Sequence, residues 1–335
     1  MSAKSRSIQL MLCVLLCALS QSCSTVGHQS ATDYVDRGKS EIAKDNWDGA
    51  MVDFTKAIQV NPRDTAAYDG RGSVKWMKGD LKGAIADFTK AIELDPRAAG
   101  AYNNRGGARM DGGKWDGAIA DFTKAIQLEP KLAVAYDNRG NARKAKGDLD
   151  GAMTDFTKAI ELDPKLAHAY VDRGAVDADK YDWDSAMFDF SKGIELDPGD
   201  AMAYAGRGKG EIAKRDWDGV IADDTKAIQL NPTLGEAYMD RGAAKKIKGD
   251  LDGAIADLSK AIELNPEYPA AYVSRANVER MKGNLEGAMA DFTRAIELNP
   301  HDAMAYIGRG GVKKALGDRA GAEKDFAQAA EFGGR

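Results

Sequence analysis

Cysteine and histidine are the side chains best suited to covalent or metal chemistry, and the 335-residue chain has three of each. Cys13, Cys17 and Cys23 fall within the first 23 residues, so the rest offers no disulfide frame and no thiolate zinc site. His168 and His301 have no second metal ligand at the HExxH spacing. There is no GxSxG nucleophile turn and no GxxxxGK[ST] phosphate loop. The run Asp177, Asp179, Asp182, Asp184 has the carboxylate density of a calcium loop but lacks the central glycine and terminal glutamate. It reads as a solvated helix-end cluster. The chain is therefore expected to be non-catalytic, without metal or cofactor.

One cysteine has another use. Lys4 and Arg6 precede an apolar run from Ile8 to Leu19. Twelve residues are too few to span a bilayer core, which takes about 20. A basic start followed by a short apolar run reads as a secretory signal, residues 1–22. The stretch Leu19-Ser20-Gln21-Ser22-Cys23 resembles a bacterial lipobox in its permissive form; the strict form prefers leucine where Ser20 stands. The resemblance implies cleavage before Cys23 and lipidation of its thiol. An ordinary cut near Ser22, releasing a free exported protein, stays open. With a lipid on Cys23, residues 23–30 form a short linker, and Ser24 resembles outer-membrane sorting. At about 3.3–3.6 Å per residue that linker reaches less than roughly 30 Å. The localisation expected is the cell envelope.

Lysine and arginine number 47 against 52 aspartates and glutamates, a net charge of −5. That balance argues against a general nucleic-acid binder, which carries a basic excess.

The remaining sequence is periodic. Proline recurs every 34 residues from Pro62 to Pro300, and tyrosine every 34 from Tyr34 to Tyr306. With Ala31 as place 1, nine units result: 31–64, 65–98, 99–132, 133–166, 167–200, 201–234, 235–268, 269–302 and 303–335. Each reads as two helices. Helix A covers about places 2–14 and stops where a left-handed residue is wanted. Glycine fills that place 15 in six units, among them Gly79 and Gly147. Place 16 is Asp or Asn in eight of nine units, an N-cap for helix B. Helix B carries a stripe of small or apolar residues, in unit two Ala84, Ile85, Phe88, Ala91 and Ile92. Proline at place 32 ends the unit.

Tyrosine at place 4, glycine at 8, alanine at 20, phenylalanine at 24, alanine at 27 and proline at 32 make residues 31–335 resemble the tetratricopeptide repeat (TPR) family. The resemblance implies an all-α, right-handed superhelical solenoid of nine helix–turn–helix repeats, with helix A lining a concave wall. One hairpin buries too little to stand alone, so stacking must supply the core.

Two departures stand out. Place 7, usually apolar in the family, is arginine in all nine units, and place 11, usually a large apolar or aromatic residue, is charged, as in Glu41, Lys75, Arg109 and Arg143. Place 23 is aspartate in all nine. An Arg–Asp pair across each hairpin or its neighbour is expected. Unit six has Asp224 at place 24, where seven units have phenylalanine, and Val220 in place of alanine at place 20. A partly exposed Asp224 with local loosening is the expectation; a pocket or hinge there is the sharper alternative. In unit nine, Arg319 and Ala330 replace apolar bulk, as suits a terminal repeat.

The family implies partner contacts at places 2, 5, 6, 9 and 12. Units two to four supply Asp69, Asn103, Asn104, Asp137, Asn138 and Asn141, which could hydrogen-bond an extended peptide, with Trp76 and Met110 adding apolar contact. Units seven to nine put Lys246, Arg280 and Lys314 at place 12. The lysine that TPR clamps for chaperone C-termini carry at place 5 occurs in no unit. The function expected is a cell-envelope scaffold for protein or peptide partners, tethered by the N-terminal lipid. The alternatives are a structural spacer or a recruiter of cell-wall or polysaccharide machinery.

Overall fold

The computed structural model describes residues 29–333. The signal segment, Cys23 and most of the linker lie outside the described residues. Within them the chain forms eighteen α-helices and no strand. In chain order these are α1 (Ala31–Ala43), α2 (Trp47–Val60), α3 (Thr65–Met77), α4 (Leu81–Leu94), α5 (Ala99–Asp111) and α6 (Trp115–Leu128). Next come α7 (Ala133–Ala145), α8 (Leu149–Leu162), α9 (Ala167–Asp179), α10 (Trp183–Leu196), α11 (Ala201–Lys214) and α12 (Trp217–Leu230). The last six are α13 (Gly235–Lys248), α14 (Leu251–Leu264), α15 (Pro269–Met281), α16 (Leu285–Leu298), α17 (Ala303–Ala315) and α18 (Arg319–Gly333). Odd numbers are the A helices and even numbers the B helices of nine TPR hairpins, the all-α solenoid architecture.

The punctuation is chemical. In repeat two, Asp80 accepts the Gly83 amide at 2.8 Å and so starts α4, and the Asp95 amide closes it on the Ala91 carbonyl before Pro96. All nine residues at place 15 have positive φ. Six are glycine, but Asp45, Tyr181 and Arg215 hold the left-handed conformation at φ 58–61°, which costs a side-chain-bearing residue roughly 1–2 kcal/mol. Lys114, the one place-16 residue that is neither Asp nor Asn, makes no side-chain cap on α6.

The structure divides into two compact parts, residues 29–176 and 177–333. In the first, Phe122 is fully buried against Ala118 and Ala142, with Ile119 and Met110 alongside. Its ring lies where a β-carbon on Gly106 would be, 2.6 Å away. Phe54 on Gly38 and Phe156 on Gly140 repeat this arrangement. Glycine at place 8 is thus the seat of the phenylalanine at place 24 in these repeats, while repeat eight seats Phe292 against Ala276 at the same place. In the second part, Phe292 packs with Ala276, Ala288 and Val312, and Leu258 does the same work against Ala254 and Val278.

Candidate partner-binding site

The place-7 arginines explain the scaffold on which a site must sit. In repeats one to four and six to nine, arginine reaches across its own hairpin to the place-23 aspartate, as Arg105 Nε and Nη2 do to Asp121 at 3.0 and 2.8 Å. The aspartates are buried, so the fork-shaped, two-bond pairing supplies both charge and geometry. Each arginine also lies over the tyrosine three residues before it, 5.0–6.0 Å from ring centre, in all nine repeats. The free Nη1 then ties neighbouring repeats, as Arg105 does to Thr89 and Arg241 to Thr225. Sequence reasoning reached the pair but missed the stacking and this link.

A second cation completes most of these sites. Lys75, Arg109, Arg143, Lys245 and Lys313, all at place 11, approach the same aspartates at 2.7–2.8 Å. Repeats one, six and eight have glutamate there instead. Glu41 finds Lys44 and Asn46, which hold its carboxyl below the usual range. Glu279 accepts from Asn284 at 2.7 Å. Glu211 in repeat six finds nothing: its buried Oε2 has no hydrogen-bond partner, and burial together with nearby Asp223 pushes it up to about 7.

Repeat six holds a second anomaly. Asp224 is 0% exposed, and neither carboxyl oxygen has a hydrogen-bond partner. The expectation of a partly exposed carboxylate is therefore corrected. The side chain is confined because place 24 points into the hairpin core, where Gly208 faces it and Val220 is also fully buried. Desolvation, with Asp240 and Asp223 nearby, pushes Asp224 up to about 8, favouring its neutral form.

The structure draws most of the polar residues expected to meet a partner in repeats two to four toward one another. Asn104 donates to Asp69 at 3.1 Å, Asn138 to Asn103 at 3.0 Å, and Asn141 to Asp172 at 2.8 Å. Each bond joins the A helix of one repeat to that of the next. Asn103 is buried and Asp137 is 1% exposed. Burial raises Asp69 to about 6, with the Asn104 amide opposing. Trp76 is also buried: its ring covers Gly107 and its indole N–H donates to Asp111 at 2.7 Å. Met110 packs beside Phe122.

Repeats seven to nine differ at the corresponding places. Place 5 is Met239, Val273 and Ile307; place 9 is Ala243, Asn277 and Gly311; place 12 is Lys246, Arg280 and Lys314. Among the described residues none of these three cations is in an ion pair, and Arg280 donates to the Asn277 amide oxygen at 3.5 Å. Other cations of the same helix ends are paired: Lys248 with Asp218 at 2.9 Å, and Lys282 with Asp252. No group of three or more His, Cys, Asp or Glu among the described residues is arranged to hold a metal.

Comparison with known proteins fits this architecture. A family model described as TPR repeat matches residues 77–110, 106–147, 140–180 and 244–279, and one described as tetratricopeptide repeat matches 269–302. The chain carries tetratricopeptide repeats, a fold that binds protein or peptide partners and serves in general as a non-catalytic scaffold. No curated protein matches it by sequence. Among solved structures, it resembles a chain of the APC/C hetero-tetramer Cut9–Hcn1 at 16% identity and TM-score 0.65, over 83% of this chain and 55% of that one. It thus spans about half the length of that relative. A tetratricopeptide repeat protein from Parabacteroides merdae matches at 19% identity and TM-score 0.56, over 75% of this chain and 99% of that one. PilF of Pseudomonas aeruginosa matches at 19% and 0.55, over 60% and 92%. At these identities the likeness is one of fold.

Proposed function

We propose that this protein is an exported, lipid-anchored scaffold of the cell envelope that holds protein or peptide partners on the A-helix face of its repeats and performs no catalysis. The observation that carries the reading is where variation falls. Places 4, 7, 20, 23 and 24 are nearly constant and build the hairpin, whereas places 5, 9 and 12 change chemistry from repeat to repeat. Variation on a fixed frame suits recognition where the varying side chains stay exposed, as Ile307, Arg280 and Lys314 do. The envelope setting is supported by the basic and apolar start of the chain and by Cys23, the sole cysteine after the proposed cleavage point.

The test is intact mass and membrane partition of the full chain, wild type against Cys23→Ala, followed by crosslinking in membranes. A lipid mass increment on a chain beginning at Cys23, lost with membrane association in the variant, supports the anchor. Proteins crosslinked through A-helix positions support the scaffold. A soluble mature chain with unmodified Cys23 overturns the anchor, and crosslinks confined to B helices overturn the face.

A further inference from the structure

The A helices of repeats seven to nine arrange three kinds of side chain in order. On a helix, places 5 and 12 are seven residues apart, 20° short of two full turns, so they share one face about 10.5 Å apart along the axis, with place 9 between them. Read across α13, α15 and α17, the N-terminal row is Met239, Val273 and Ile307. Ile307 is 47% exposed, and Met304, one turn before it, is 63% exposed. The middle row is small or folded down: Ala243, then Asn277, whose amide donates to its own helix at the Val273 carbonyl, 2.9 Å, then Gly311. A β-carbon on Gly311 would meet nothing within 4 Å. The C-terminal row is Lys246, Arg280 and Lys314, none of them in an ion pair among the described residues. Cations in the last turn suit the helix dipole, which accounts for their sign but not for their lack of partners.

We propose that this face of repeats seven to nine docks an extended acidic peptide. The inference rests on the reading that the A face takes a protein partner, and it names that partner's chemistry. Successive packed helices lie about 8–10 Å apart. An extended chain in the polyproline II conformation turns once every three residues and advances about 3.1 Å per residue, so carboxylates three residues apart share one edge and meet the three cations in turn. The low middle row leaves room for the peptide backbone. Apolar side chains on the peptide's other edge cover Ile307 and Met304, the exposed apolar residues of α17. That apolar row favours a peptide over an anionic glycan, which has no comparable groups to bury.

The test is fluorescence anisotropy of a labelled twelve-residue peptide of repeating Asp-Val-Ser, titrated with the full chain. Controls are the Asn-Val-Ser counterpart and unlabelled polygalacturonate as competitor. Saturable binding of the acidic peptide, more than tenfold weaker for the Asn peptide and for Lys246→Ala/Arg280→Ala/Lys314→Ala, is expected. Binding should weaken as salt rises, and Lys158→Ala, which removes an exposed lysine from the B helix of repeat four, should leave it unchanged. The replaced side chains are half-buried or exposed, and circular dichroism verifies that the triple variant is folded. Ile307→Ser alone should weaken binding several-fold. Equal binding by wild type and triple variant overturns the proposal. Polygalacturonate competing as well as the acidic peptide, with no effect of Ile307→Ser, assigns the cations to a glycan and also overturns it. If wild type ignores the peptide yet crosslinks to envelope proteins through its A helices, this inference fails and the scaffold reading stands.

Discussion

Repeats two to four and repeats seven to nine share a backbone, an Arg–Asp pair and a buried A–B core, yet their A helices are dressed in opposite order. In the first group place 5 is Asp69, Asn103 and Asp137, and place 12 begins with Trp76 and Met110. In the second, place 5 is apolar and place 12 cationic. The first set is largely spent on itself: amides meet acceptors one repeat along, and Trp76 is covered. The second set leaves its charges unmatched. Polar residues at partner-facing places can therefore be mortar between repeats or a surface for another molecule, and only their hydrogen bonds tell which.

The comparison can be broken at several depths. The largest effect should come from the shared core. Phe122→Ala removes a fully buried ring seated on Gly106 and should cost about 3–5 kcal/mol in urea unfolding. A loss under 1 kcal/mol would mean that the repeats collapse around the gap.

Repeat six offers the opposite sign. Asp224→Phe combined with Val220→Ala restores the ring seen elsewhere over glycine and removes an unsatisfied buried carboxyl. A gain of about 1–3 kcal/mol is expected. The gain should grow with pH. Asp224 near 8, Glu211 near 7 and Asp240 near 6 all stand above the unfolded carboxylate value of about 4. The folded chain thus holds protons that the unfolded chain has released. Their contribution to stability is full below about pH 4 and declines as pH rises, with the Asp224 share lost toward pH 8. Thermal melts at pH 5 and pH 9 should show wild type losing more than the double variant; parallel losses would reject burial of a neutral Asp224.

A smaller effect sharpens the contrast itself. Asn104→Ala should cost about 1 kcal/mol of stability through its lost bond to Asp69. Lys314→Ala, an exposed and unpaired cation, should leave the melting temperature within error. If instead Asn104→Ala leaves stability untouched and abolishes crosslinking, repeats two to four are the recognition surface. The smallest change is at a turn. Arg215→Gly relieves a left-handed backbone at φ 58° and should gain about 0.5–1 kcal/mol by chemical denaturation.

Much of this was legible in one dimension because the signals are local or strictly periodic. The hairpin turn, the Asp80-type cap, the proline stop and the buried phenylalanine each follow from residues within a turn or two, and the Arg–Asp pair from two invariant places sixteen apart. What escaped required knowing how one repeat leans on the next. The Asn104–Asp69 bond spans 35 residues, and nothing in either residue type says whether it will face a neighbour or solvent. The stacking of Arg105 on Tyr102 was within reach, three residues apart on one helix face. Asp224 was noticed as an oddity and misjudged in depth, since its charge argued for exposure while its place in the repeat decided the matter.

The ion pairs and hydrogen bonds that define the repeats join residues 16, 30 or 35 positions apart. Such a chain closes only short loops while folding, and the entropy of long-range closure, which slows many sheet proteins, scarcely arises. Order can begin wherever a few neighbouring hairpins meet and spread outward like a zipper. The same short reach means that losing or gaining 34 residues inside a regular stretch would leave every remaining repeat with a neighbour of familiar shape. Length is then a quantity that heredity can adjust in whole steps, lengthening or shortening the wall without redesigning a single brick.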